Sequence, residues 1–167
     1  MAYFRMVNKS HNMKNILFLI FCLLSISVLA QSEEEKKVKQ TIVEFFSAFH
    51  AQDSNAIKKT TYSSVVLQTI GLDIDGKSIL KNESFNDFLK SIISIPDSIA
   101  FQERITDFSI QIDGTMANAW TPYEFWLNNK FHHCGVNSFQ LLKVENAWKI
   151  IYLIDTRRKE DCHQKTE

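Results

Sequence analysis

Apolar residues follow two rhythms along the chain, and the change comes near Ile99. Before it, Val38, Ile42, Phe45, Phe46 and Phe49 recur at steps of four, three, one and three, which sets them on one face of an α-helix. Ser32-Glu33-Glu34-Glu35 stands ahead of this stretch as a capping box, and its carboxylates suit the positive end of the helix dipole. Asp53 is placed to cap a short second helix carrying Ala56 and Ile57, and Ser63 to Ile70 reads as a brief β-branched strand. Ser84-Phe85-Asn86-Asp87 opens a third helix. Phe85, Phe88, Leu89, Ile92 and Ile93 lie on one side of it, and Pro96 stops it.

Beyond Ile99 the period is two. Asp113-Gly114, Asn128-Asn129 and Glu145-Asn146 divide the segments Phe101–Ile112, Thr115–Leu127, Lys130–Val144 and Ala147–Arg157. Asp-Gly and Asn-Asn tolerate the positive φ that two-residue hairpin loops demand. Long consecutive hairpins make an antiparallel meander, and helices gathered ahead of it make the class α+β. Strands of this length must twist and curl, so three helices are expected to pack on a curved four-stranded sheet.

The amino-terminal segment stands apart from this pattern. Lys14 precedes an uncharged apolar run from Ile16 to Ala30, too short for a span of roughly 20 residues. Val28 and Ala30 occupy the −3 and −1 positions of a cut after Ala30, the layout of a secretory signal peptide. Residues 1–12 then read as lying upstream of a true start at Met13. Phe21 ahead of Cys22 denies that cysteine a lipoprotein cleavage site, so no membrane anchor is expected. Residues 31–167 make one domain by size.

Removing Arg5, Lys9 and Lys14 with the leader leaves 16 basic and 19 acidic residues, a net charge of −3. That balance gives no electrostatic case for nucleic acid. Cys134 and Cys162 remain, an even number in an oxidising compartment, which allows a disulfide. The expected location is therefore periplasmic or extracellular.

The capped helix, short second helix, third helix and meander together resemble the nuclear transport factor 2-like superfamily, a cone-shaped α+β fold. Trp120-Thr121-Pro122-Tyr123-Glu124-Phe125, Phe131-His132-His133-Cys134-Gly135-Val136, Phe139-Gln140-Leu141, Trp148-Lys149-Ile150 and Asp155-Thr156-Arg157-Arg158 are similar to an exported bacterial branch of it. That branch is called SnoaL-like or lumazine-binding-like, and the likeness spans about residues 33–162. The resemblance implies a cone that binds a small molecule; the fold hosts isomerases, dehydratases, cyclases and pure binders alike.

Three tempting motifs are set aside. Gly71-Leu72-Asp73-Ile74-Asp75-Gly76-Lys77-Ser78 spells a P-loop, but Asp73 and Asp75 would set negative charge beside the phosphates, and hairpins are the wrong setting. Asp73-Ile74-Asp75-Gly76 lacks the later ligands of a calcium loop. His132-His133-Cys134 with Cys162-His163 has zinc-ligand residue types, but neighbours on a regular strand point to opposite faces, so no metal or other cofactor is expected.

Strand register supplies the candidate site. Two-residue loops at Asn128-Asn129 and Glu145-Asn146 set Glu124 opposite His133, Tyr123 opposite Cys134, Phe139 opposite Tyr152, Leu141 opposite Ile150 and Cys134 opposite Arg157. One face then carries Trp120, Glu124, Trp126, His133, Phe139, Leu141, Trp148, Ile150, Tyr152 and Ile154, and its aromatic character makes it the expected cone wall. Tyr123, Cys134, Gln140, Ile151, Leu153, Asp155 and Arg157 fall on the other face. A single bulge would exchange the faces beyond it.

On this reading Glu124 and His133 are the candidate catalytic pair, a carboxylate orienting an imidazole that titrates near neutrality. Trp120, Tyr123, Trp126 and Tyr152 are candidate contacts to a flat apolar ligand, and Asp155 with Arg157 to a charged group. The expected function is an exported binder of a small apolar or aromatic molecule, as a monomer or as a homodimer through the outer sheet face. The alternative is a lyase or isomerase using Glu124 and His133.

Overall fold

A computed structural model describes residues 33–162. The leader, its cleavage site, the capping residue Ser32 and His163 lie outside the described residues.

Helix α1 covers residues 33–50, and its regularly spaced apolar side chains Val38, Ile42, Phe45 and Phe46 are all buried. Helix α2 (Ser54–Thr60) starts where expected: the Asp53 carboxylate accepts from the Asn55 and Ala56 amides. Strand β1 (Thr61–Leu72) is longer than the expected strand and pairs antiparallel with β2 (Ser78–Glu83), a strand that the periodicity did not show. The P-loop lookalike is the connection between them. The Asp73 carboxylate accepts from the Asp75 and Lys77 amides, and Gly76 takes φ 77°, so the segment is a hairpin turn and not a phosphate cradle.

Helix α3 (Phe85–Ile93) is capped by Ser84, whose hydroxyl accepts from the Asp87 amide, and it buries Leu89 and Ile92. The segment expected as one strand then appears as two, β3 (Phe101–Ile105) and β4 (Ser109–Asp113), both antiparallel to β5 (Met116–Leu127). Pro122 explains the break. Its carbonyl accepts from the amide and hydroxyl of Thr106, but proline has no N–H to return the bond, and regular pairing lapses there. The β4–β5 loop also falls one residue later than expected, since Asp113 pairs with Met116 across Gly114 (φ 59°) and Thr115.

Strands β5, β6 (Lys130–Val144) and β7 (Ala147–Thr156) are the expected consecutive hairpins. Asn128 (φ 49°), Asn129 (φ 60°) and Glu145 (φ 55°) adopt the left-handed conformations those tight loops need. Strand β1 lies parallel to β7, giving a curved mixed sheet in the order β2-β1-β7-β6-β5-β3, with β4 beside β5. The fold is α+β with seven strands rather than the four of the expected meander.

The main core lies between the α1–α2 helices and one part of the concave face. Val38, Ile42, Phe45 and Ile57 meet Ala117, Ala119, Phe139, Leu141, Trp148 and Ile150 there. Farther along the same face, α1 and α3 stand off the sheet and leave a cavity.

Candidate functional site

That cavity has a volume of about 650 Å³. Helix α1 contributes Phe45, Phe46 and Phe49, and α3 contributes Phe88 and Ile92. Phe101 from β3 and Phe125 from β5 close the aromatic wall, with ring centroids 6.5 Å apart and nearly parallel. Six of the thirteen phenylalanines in the chain thus line this one cavity.

The sheet gives the cavity a polar floor. Glu103, Tyr123, Asn137, Asp155 and Arg157 all line it, each from a different position on β3, β5, β6 or the end of β7. Asn137 and Asp155 are direct cross-strand partners. The Asn137 side-chain amide donates to Glu103 Oε1 at 2.7 Å, and the Glu103 backbone amide donates to His50 Nε2 at 2.9 Å. His50, at the end of α1, therefore carries its proton on Nδ1, and burial lowers its pKa so that it stays neutral.

Asp155 has three partners. Thr69 donates to Oδ1 at 2.5 Å, Arg157 Nε donates to Oδ2 at 2.8 Å, and the Tyr123 hydroxyl lies 3.3 Å from Oδ2. That hydroxyl also donates to the Thr156 carbonyl at 2.9 Å. Burial first, then the nearby Glu103 and Asp155 carboxylates, push the Tyr123 pKa up, so the phenol remains protonated. Among the described residues no buried side-chain nitrogen or oxygen lacks a hydrogen-bond partner.

Glu103 is the most perturbed carboxylate in that network. Burial raises its pKa, and the neighbouring Asp155 charge pushes the same way. The Asn137 hydrogen bond and Arg157 oppose them, leaving it at about 7. A carboxyl group poised there holds a proton at neutral pH and can release it, the property required of a general acid or base. Periodicity gave no sign of Glu103 or Asn137. The one available signal was alternation: Phe101, Glu103 and Ile105 share a face, so a carboxylate sits between two apolar residues aimed inward.

The expected catalytic pair does not form. His132 is an extra residue in β6, a bulge opposite the Phe125–Trp126 step, and it moves the register by one. Glu124 therefore pairs with Cys134, Tyr123 with Gly135 and Phe125 with His133. Glu124 points to the outer face, where its carboxylate accepts from Trp126 Nε1 at 3.1 Å and the Arg104 guanidinium stacks over the Trp126 ring at 4.4 Å. His133 points the other way and lines the cavity, with its ring 4.8 Å from that of Phe125. Burial, then the charges of Arg157 and His132, drive its pKa down to about 4.

A second bulge, at Ile151 in β7, moves the β6–β7 register: Phe139 pairs with Leu153 rather than Tyr152, and Cys134 bridges to Arg158 rather than Arg157. These two bulges split the expected face: His133, Phe139, Leu141, Trp148 and Ile150 do lie on the concave side, but the residues expected beside them on β5 and at the far end of β7 do not. Tyr123, Leu153, Asp155 and Arg157 belong to the cavity, whereas Trp120, Trp126 and Tyr152 do not line it. Trp120 is half exposed on the outer face, and the Tyr152 hydroxyl bonds to Gln68. Leu141 and Ile150 keep their expected pairing.

Cys134 and Cys162 form the expected disulfide, with Cα atoms 5.8 Å apart. Paired backbone hydrogen bonds between Cys134 and Arg158, each 2.9 Å, bring the tail to the β6 edge and make that closure short.

No protein-family model matches the chain, and no curated protein matches it in sequence. Solved structures do match. A Mycobacterium tuberculosis protein of unknown function aligns at TM-score 0.64 and 16% identity, over 78% of this chain and 75% of that one. A nuclear transport factor 2-like protein of unknown function from Shewanella baltica aligns at TM-score 0.56 and 18% identity, over 77% and 97%. A Novosphingobium aromaticivorans protein, proposed by name to be a scytalone dehydratase, aligns at TM-score 0.61 and 10% identity, over 81% and 92%. At these identities the likeness carries the architecture alone: the chain has the fold of the nuclear transport factor 2-like superfamily.

Proposed function

We propose that this chain is an exported binder of a small, flat, largely apolar molecule that carries a hydrogen-bonding group at one end. The observation behind this reading is the cavity: phenylalanine rings on its walls, and Glu103, Tyr123, Asn137 and Asp155 together on its floor. Rings supply area for an apolar body, and the floor supplies acceptors and donors for one polar end. N-phenyl-1-naphthylamine, a neutral aromatic fluorophore, tests it. Saturable one-to-one binding to the full chain is expected. Ser91→Trp, which fills the cavity from α3, should abolish it, and Trp120→Ala on the outer face should leave it unchanged. Equal binding in all three proteins would defeat the reading.

A second reading rests on Glu103. With its pKa near 7 and its position beside Asn137, it is suited to proton transfer on a bound substrate, the chemistry of a lyase or isomerase. Glu103→Gln keeps the shape and the Asn137 contact but removes the transferable proton. Turnover of any substrate found for the wild type should vanish in that variant while fluorophore binding persists.

Export rests on Lys14, the run Ile16–Ala30 and the small residues Val28 and Ala30. Association of two copies through the outer sheet face is the assembly we propose, with exposed Val66, Ile70, Leu80, Met116 and Trp120 as its material. Sedimentation of the mature protein decides between that dimer and a monomer.

A further inference from the structure

Glu103 is held by only one of its two carboxyl oxygens. The Asn137 amide donates to Oε1 at 2.7 Å, whereas Oε2 accepts no hydrogen bond among the described residues. No buried side-chain oxygen among them lacks a partner, so Oε2 is open to the cavity. Phe101, two positions along β3, turns its ring to the same side, 5.2 Å from the Phe49 ring and 6.5 Å from that of Phe125.

The charges around Glu103 are unequal. Among the described residues three carboxyl groups line the cavity, Glu83, Glu103 and Asp155, against one guanidinium, Arg157. Arg157 is committed to Asp155 through its 2.8 Å Nε contact, and it acts on Glu103 less than Asp155 does. Glu83 is exposed and also faces Arg157. Tyr123 stays protonated, His50 and His133 are neutral, and exposed His132 shares a hydrogen bond with His133. Glu103 is thus the carboxyl group with aromatic rings beside it and no cation of its own.

We propose, building on the aromatic cavity as the binding site, that its ligand is a flat aromatic amine, with the protonated amine on Glu103 Oε2. An ammonium against an ionised carboxylate makes a charge-assisted hydrogen bond, and nearby aromatic faces attract the same charge. An aromatic acid would instead bring a fourth carboxyl group into a cavity with one guanidinium. Glu103 titrates at about 7 in the empty cavity, and the ammonium requires it ionised. Below that pH, binding therefore expels the Glu103 proton to solvent.

Three isosteric probes test the assignment by calorimetry on the full chain: 1-naphthylmethylamine, 1-naphthylmethanol and 1-naphthoate. At pH 8 the amine should bind about tenfold or more tighter than the alcohol, and the naphthoate should bind weakest. Amine affinity should rise about tenfold from pH 6 to pH 8, with about 0.9 proton released per amine at pH 6, read from two buffers of different ionisation heat. The alcohol should show no such rise. Glu103→Gln should remove both the amine preference and the proton release; the pH dependence is read on the wild type and does not require the variant to fold. Binding without an amine preference, or a preference retained in Glu103→Gln, would overturn the proposal and leave the cavity reading standing. No binding by any of the three probes would overturn both.

Discussion

Glu103 shows how one residue ties stability to pH. In the folded chain its carboxyl group titrates at about 7, against an ordinary value of 4.5, so between those values the folded state holds a proton that the unfolded state has lost. Stability therefore falls as pH rises through that window, by an amount on the order of 2 to 3 kcal/mol. Glu103→Gln should remove most of this slope, which denaturant unfolding at pH 5 and pH 8 measures; equal slopes in both proteins would refute the assignment. Gly135 makes a second residue-scale case. A Cβ there would stand 1.8 Å from the Thr156 carbonyl oxygen and 2.7 Å from the Tyr123 ring, so only glycine lets the Tyr123 side chain cross β6 to reach the Thr156 carbonyl. Gly135→Ala should cost about 3 kcal/mol or more, read as a lowered denaturant midpoint. Alternation could place Glu103 on the inward face but not show its role, and nothing in the sequence marks Gly135, because what defines both is the side chain or carbonyl that another strand brings against them.

The elements were legible wherever local chemistry decides them. Asp53 and Ser84 announce α2 and α3 because a short side chain that satisfies free amides does the same work in any fold. Asn128-Asn129 announces the β5–β6 loop because few residues tolerate positive φ. Strand β2 was not legible: Ser78, Lys81, Asn82 and Glu83 are polar, and the strand sits at the sheet edge with only one of its six residues even half-buried, so burial imposes almost no alternation. The bulges at His132 and Ile151 were invisible for a related reason. Each leaves the hydrophobic pattern on both sides intact and changes only which face that pattern addresses. Capping offers the test at this scale. The Ser84 hydroxyl accepts from the Asp87 amide at 3.1 Å and donates to the Asp87 carboxylate at 2.7 Å, so Ser84→Ala should destabilise the chain by about 1 kcal/mol, measured by denaturant unfolding. A loss near zero would mean that α3 is held by its apolar face alone.

For the molecule as a whole, the disulfide joins the fold to the proposed location. Cys134 lies in β6 and Cys162 beyond the end of β7, at a sequence separation of 28, so the bond closes a loop containing β6 from Cys134 onward and all of β7. Restricting a loop of that length in the unfolded chain is worth about 3.5 kcal/mol on chain-entropy reasoning. For a domain of this size such a loss lowers the melting temperature by about 10 °C, so the oxidised protein should melt that much higher than the reduced one. The cavity floor does not depend on the bond directly: Asp155 is held by Thr69, Tyr123 and Arg157, all of which precede the tail. Reduction at 25 °C should therefore leave fluorophore binding in place while stability drops. The same bond reports on location, because cytosolic thiol pools keep such cysteine pairs reduced. Protein recovered from its native host should yield, without reduction, a peptide pair joining Cys134 to Cys162, and its amino-terminal sequence should begin near Gln31. Two free thiols on a chain that still carries residues 13–30 would place the protein in a reducing compartment and remove the case for export.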